Sequence, residues 1–163
     1  MAGRAVLIEV YLLRCEADGT LAFRRLAGYL AGEETPDAAA WRIGLAAPLA
    51  GARHPAEPAV AVHSTSWRPL DDGTIVLSYV VAPDPEPGLA AIPVPATGLA
   101  RSGDARRPSP PRIAHEQVAA HAARHLALVT DTDPAVRAVV DQSPRLARAL
   151  APLTRAPAGR PAD

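Results

Sequence analysis

A chain of 163 residues with seventeen basic and seventeen acidic side chains has the size of one domain and no net field to draw it to nucleic acid or an anionic membrane. Its one cysteine, Cys15, excludes an intrachain disulfide framework and points to a reducing compartment, the cytoplasm. Nowhere do ~20 apolar residues follow one another, which excludes a conventional membrane-spanning helix.

The apolar opening, AVLIEVYLL at residues 5–13, is interrupted by Glu9 and followed by no small-residue cleavage site, so it reads as a strand rather than a signal peptide. Asp18-Gly19 then supplies the positive φ angles of a hairpin turn, and residues 20–26 form the returning strand. Thr35-Pro36-Asp37 has the cap and first-turn residues of a helix, which runs over residues 36–47 until Pro48 stops it. Residues 51–58 form a loop. A second hairpin follows, AVAVHSTSWR and TIVLSYVV around Asp71-Asp72-Gly73, with Ile75, Leu77, Tyr79 and Val81 alternating as in a sheet that has one face on a core. Eight prolines between residues 83 and 111 leave no room for a helix or a long ladder, so that stretch is a surface loop with only short turns. Three helices are expected beyond it: residues 113–129, residues 134–142 capped by Asp133, and residues 144–150 capped by Ser143. Residues 151–163 read as a disordered tail. With aromatics at 4%, the core rests on Leu, Val and Ala.

Between the hairpins the spacing carries a motif. Gly28, five residues, Glu34, seven residues and Arg42 match the first half of G-x5-E-x7-R-E-U-x-E-E-x-G-U, and ETPDAAAWR matches the usual opening of its helix at Glu34, Thr35, Pro36, Ala39, Ala40 and Arg42. In these residues, and in its order of hairpin, helix, hairpin and C-terminal helix, the chain resembles the Nudix hydrolase superfamily. The second half departs from the pattern: Ile43, Ala46 and Ala47 stand where the family places glutamates, and Leu49 where it places glycine. The resemblance implies a Nudix-like fold, and it implies Mg²⁺-dependent hydrolysis of diphosphates in relatives that keep the glutamates. Mg²⁺ takes hard oxygen ligands in near-octahedral geometry, and Ile and Ala have none. Glu33 and Glu34 precede the helix instead of lining successive turns of it.

Two further clusters bear on chemistry. His121 and His125, spaced i, i+4, share one side of a helix as metal-ligating pairs do, but HEQVAAH fails the H-E-x-x-H pattern because Ala119 takes the second histidine position. Helical rotation places His115 on the apolar stripe and His125 at its margin, as core or boundary histidines satisfied by hydrogen bonds. In the second hairpin, strict alternation puts His63, Thr65 and Trp67 on one face and Ser64, Ser66 and Arg68 on the other. An adjacent Ser and His on opposite faces do not make a nucleophile and base. The cluster suits a pocket in which Trp67 stacks a planar ligand and His63 or Arg68 contacts its polar groups, while scarcity of large aromatics makes Trp67 a core residue.

The expectation is therefore an α+β, Nudix-like sheet of two or more hairpins packed with helices, forming one domain over residues 1–150 with a proline-rich loop at about residues 83–111. It is a catalytically degenerate module binding a small molecule or a protein, without nucleic acid or membrane partners and without a cofactor. The candidate binding residues are His63, Ser64, Ser66, Trp67, Arg68, Glu34 and Arg42. The alternative is a divergent hydrolase of nucleoside diphosphate derivatives that holds Mg²⁺ with Glu33, Glu34, Asp71 or Asp72.

Overall fold

The computed structural model describes residues 5–45, 60–96, 100, 102–104, 106, 110 and 112–155. In chain order these form β1 (Val6–Cys15), β2 (Leu21–Tyr29), α1 (Pro36–Leu45), β3 (Ala61–Pro69), β4 (Ile75–Ala82), β5 (Ile92–Pro93), α2 (His115–Thr132), α3 (Pro134–Asp141) and α4 (Pro144–Leu150). The fold class is α+β: a five-stranded mixed sheet in the order β3-β4-β1-β2-β5, with helices on both faces.

Both expected hairpins are present. Gly19 (φ 92°) and Gly73 (φ 85°) take the left-handed conformation at their turns. Asp18 and Asp72 each accept the backbone N–H two residues ahead, from Thr20 and Thr74. The hairpins join through a parallel pairing of β1 with β4, in which Glu9 faces Ser78 and Tyr11 faces Val80. That pairing centres β1 and covers both of its faces, so Ile8 and residues 10–13 are fully buried. Burial on both sides is why this strand reads as a continuous apolar run instead of an alternating one.

On one face α1 packs over Ile8, Val10, Leu12, Tyr79 and Val81. Thr35 caps this helix by accepting from the Ala38 N–H at 3.2 Å, and Tyr79 donates to Asp37 at 2.7 Å, tying α1 to β4. Gly44 permits the close approach: a Cβ there would sit 3.1 Å from Val10 Cγ1 and 3.3 Å from Val81 Cγ2. On the other face α2, α3 and α4 cover Tyr11, Leu13, Phe23, Val80 and Ala82. Val136, Val139 and Val140 of α3 pack into this core, and Asp133 caps α3 by accepting from the Ala135 N–H at 2.8 Å. No helix of the described residues is long and apolar enough to cross a membrane.

The structure corrects several boundaries. Helix α2 spans His115–Thr132, starting and ending later than its apolar pattern suggests, because Gln117 folds back onto the Ala114 N–H at 3.0 Å and closes the first turn there. The proline-rich stretch includes the short strand β5 on the outer edge of β2. Its beginning is clamped: the Asp84 N–H donates to Leu13 O at 2.7 Å, and the buried Asp84 carboxylate receives Arg24 Nε at 2.8 Å, Arg24 Nη2 at 2.7 Å and Arg14 Nη1 at 3.2 Å. The expected loop at residues 51–58, the last turn of α1 at residues 46–47 and the tail at residues 156–163 lie outside the described residues. Residues 151–155 are placed, with Arg155 donating to Asp131 at 2.8 Å.

Candidate functional site

On the α1 face the residues of the Gly28, Glu34, Arg42 spacing meet. Arg42, near the C-terminal end of α1, donates from Nε and Nη2 to the two oxygens of Glu34, each at 2.9 Å, and from Nη2 to Tyr29 O at 3.2 Å. This bidentate pair closes the loop between β2 and α1 and holds the Glu34 carboxyl below its ordinary 4.5. Gly28 lies beneath the helix, where a Cβ would meet Ile43 Cδ1 at 3.1 Å. Ile43, the residue after Arg42, therefore packs down onto β2.

The polar residues of β3 divide differently from the alternation. A bulge between Ser64 and Ser66 shifts the register, so Ser64 faces Tyr79 whereas Ser66 faces Ser78. Thr65 is the extra residue, its hydroxyl donating to Ser78 O at 3.0 Å. The extra residue reverses the phase of every side chain beyond it. His63 and Arg68, expected on opposite faces, both lie on the α2 face, and Trp67 lies with Leu77 on the α1 face. Trp67 is 67% exposed, so it is neither a core residue nor a partner of His63. Ser64 is exposed and Ser66 half-buried.

Arg68 reaches across β4 to a buried carboxylate. Its Nη2 donates to Glu9 Oε2 at 2.7 Å and its Nη1 lies 3.4 Å from Ser78 Oγ, a side chain small enough to let the guanidinium pass. From β2, Arg25 donates to Glu9 Oε1 from Nη2 at 2.6 Å and from Nε at 3.2 Å. The Tyr11 hydroxyl donates to Glu9 Oε2 at 3.2 Å and lies 3.2 Å from His115 Nδ1, at the start of α2. Burial alone would raise Glu9, but the hydrogen bonds from Arg25 and Arg68 outweigh it and hold the carboxyl below its ordinary 4.5. Burial and the neighbouring Glu9 charge push the Tyr11 hydroxyl well above its ordinary 10. Burial lowers His115 from 6.5, and the Arg25 charge adds to that. At neutral pH the row holds two cations and one anion.

His63 and His125 form a separate contact on this face, with His125 Nε2 3.1 Å from His63 Nδ1, which also lies 2.8 Å from Ser64 O. His125 Nδ1 is buried with no hydrogen-bond partner among the described residues. No three His, Cys, Asp or Glu side chains among the described residues are grouped to hold a metal ion.

Of the expected site residues, the structure joins Glu34 with Arg42 on one face and places Arg68 and His63 on the other, in separate contacts. Glu9, Tyr11 and Arg25, which this face adds to Arg68, belong to no motif in the sequence. The available signal was Glu9 itself, a lone carboxylate inside an apolar strand, which is stable only if cations reach it. The chain matches no protein-family model, no curated protein and no solved structure.

Proposed function

We infer that the chain is a catalytically degenerate Nudix-like domain that binds a small molecule or a protein partner without hydrolysing diphosphates. One observation carries the reading. The frame of the motif is built, with Glu34 and Arg42 paired and Gly28 making room under α1, while the position after Arg42 is filled by an isoleucine packed on that glycine. A carboxylate in the active relatives would face ligand from a position that here serves packing. The single cysteine and balanced charge support a cytoplasmic domain whose partner is not nucleic acid.

A divergent hydrolase would have to gather Glu33, Glu34, Asp71 or Asp72 around one Mg²⁺. Glu34 is engaged by Arg42 and Asp72 by the Thr74 N–H, and no such grouping exists among the described residues. Nothing favours that alternative.

The test is a thermal-shift panel of nucleotides and nucleoside diphosphate derivatives in EDTA. Some compounds are expected to raise Tm without any metal. Stabilisation that appears only with Mg²⁺ or Mn²⁺, and decays as the compound is consumed, would contradict the reading.

A further inference from the structure

The α2 face of the sheet changes character at Tyr11. Toward one end lies the apolar core with Leu13, Phe23, Val80 and Ala82. Toward the other, Arg68, Ser78, Glu9 and Arg25 form a polar row contributed by β3, β4, β1 and β2. Three features of this row call for a further anion. Glu9 already receives Arg25 Nε and Nη2 on one oxygen and Tyr11 Oη and Arg68 Nη2 on the other, so its acceptor capacity is taken. Among the described residues no second carboxylate forms an ion pair with either guanidinium. The row is closed at Glu9, whose side chain is 2% exposed, and opens on either side of it, at Arg68 (16%) and at Arg25 and His115 (29% and 49%).

We propose that Arg25 and Arg68, spread on either side of Glu9, form a binding site for a phosphate-type oxyanion, either free or as the phosphoryl group of a larger molecule. Guanidinium N–H groups present a planar fork to phosphate oxygens, and partial burial strengthens such contacts relative to water. Buried Glu9 holds the two forks in place and competes with the ligand for them. Ser78 is required because a larger side chain would block the path of Arg68 over β4. The bulge at Thr65 is required because without it Arg68 would face the other side of the sheet. The proposal deepens the binding reading above and rests on it for its biological sense. Its test is separate.

Inorganic phosphate and AMP are titrated into the full chain in EDTA, by calorimetry and by Tm, for wild type, Arg25→Gln and Glu9→Gln. Phosphate is expected to bind, Arg25→Gln to weaken it roughly tenfold or more, and Glu9→Gln to tighten it several-fold by removing the competing carboxylate. The Glu9→Gln protein should also gain more Tm from phosphate than wild type does, a response that a purely structural ion pair would not give. AMP binding at least about tenfold more tightly than phosphate, with the same loss in Arg25→Gln, assigns the site to a phosphorylated organic ligand; equal affinities assign it to the free anion. Absence of phosphate binding at millimolar concentration, or affinities unchanged in both variants, would overturn the site and leave the binding reading standing. Metal-dependent turnover would overturn that reading and leave the site standing. Should Arg25→Gln not fold, the direction of the change in Glu9→Gln decides.

Discussion

Trp67 illustrates how a single inserted residue redirects a side chain. Alternation along β3 makes it a neighbour of His63, and its bulk makes it a core residue; the bulge at Thr65 turns it to the opposite face, where it stands 67% exposed. Trp67→Ala should therefore change folding stability by no more than about 0.5 kcal/mol, as at an ordinary surface position. Urea unfolding checks this, and a loss of roughly 3–5 kcal/mol would mean the ring is buried after all. Nothing in HSTSWR marks the bulge, because Ser and Thr suit either face of an edge strand, and that is why the face of Arg68 was not legible. The histidines act at the same scale. Burial lowers His115, His121 and His125 from 6.5, with further lowering by Arg25 at His115, Arg124 at His121 and His63 at His125. The folded state thus binds fewer protons than the unfolded state at mildly acid pH, so stability is present above pH 6.5 and declines as pH falls through the lowered values. His125→Gln should reduce that decline. Parallel stability–pH curves for variant and wild type would show that His125 does not contribute.

At the scale of elements, both hairpins, α1, α3 and α4 were legible because their punctuation is local: Asp-Gly at turns, Thr-Pro and Asp-Pro at helix starts, Pro after helix ends. The ion pairs were not. Arg24 and Asp84 are sixty residues apart, and no pattern in either segment announces the other. Yet this clamp fixes where the proline-rich stretch leaves β4. Asp84 is fully buried, and although burial would raise its carboxyl, the hydrogen bonds from Arg24 and the Glu86 N–H keep it below 3.8. Asp84→Asn should cost roughly 1–3 kcal/mol by weakening the bonds to Arg24 and Arg14, which keep Glu86 and Glu16 as partners, and denaturant titration measures it. The stability that Asp84 and Glu9 supply is complete above their ordinary values of 3.8 and 4.5 and is lost as pH falls through their lowered folded values. In Asp84→Asn the acid limb of the stability curve should be shallower; an unchanged limb would place acid sensitivity elsewhere.

Across the whole molecule, the parallel pairing of β1 with β4 joins the two hairpins into one sheet and leaves each face with its own role. The α1 face carries the Glu34–Arg42 pair and Ile43 packed over Gly28. The α2 face carries the apolar core and the Arg68–Glu9–Arg25 row. The α+β class and the position of α1 could be read from spacing and punctuation, whereas the polar row depends on a register shift and on strands that meet only in the folded sheet. Binding without hydrolysis is the proposed property that ties the two faces together. The decisive measurement is ³¹P NMR of a nucleoside diphosphate derivative mixed with the 163-residue chain and Mg²⁺. Shifted or broadened resonances of the intact compound are expected, with no monophosphate products above the protein-free control. Growth of monophosphate resonances that requires both protein and metal would contradict binding without hydrolysis.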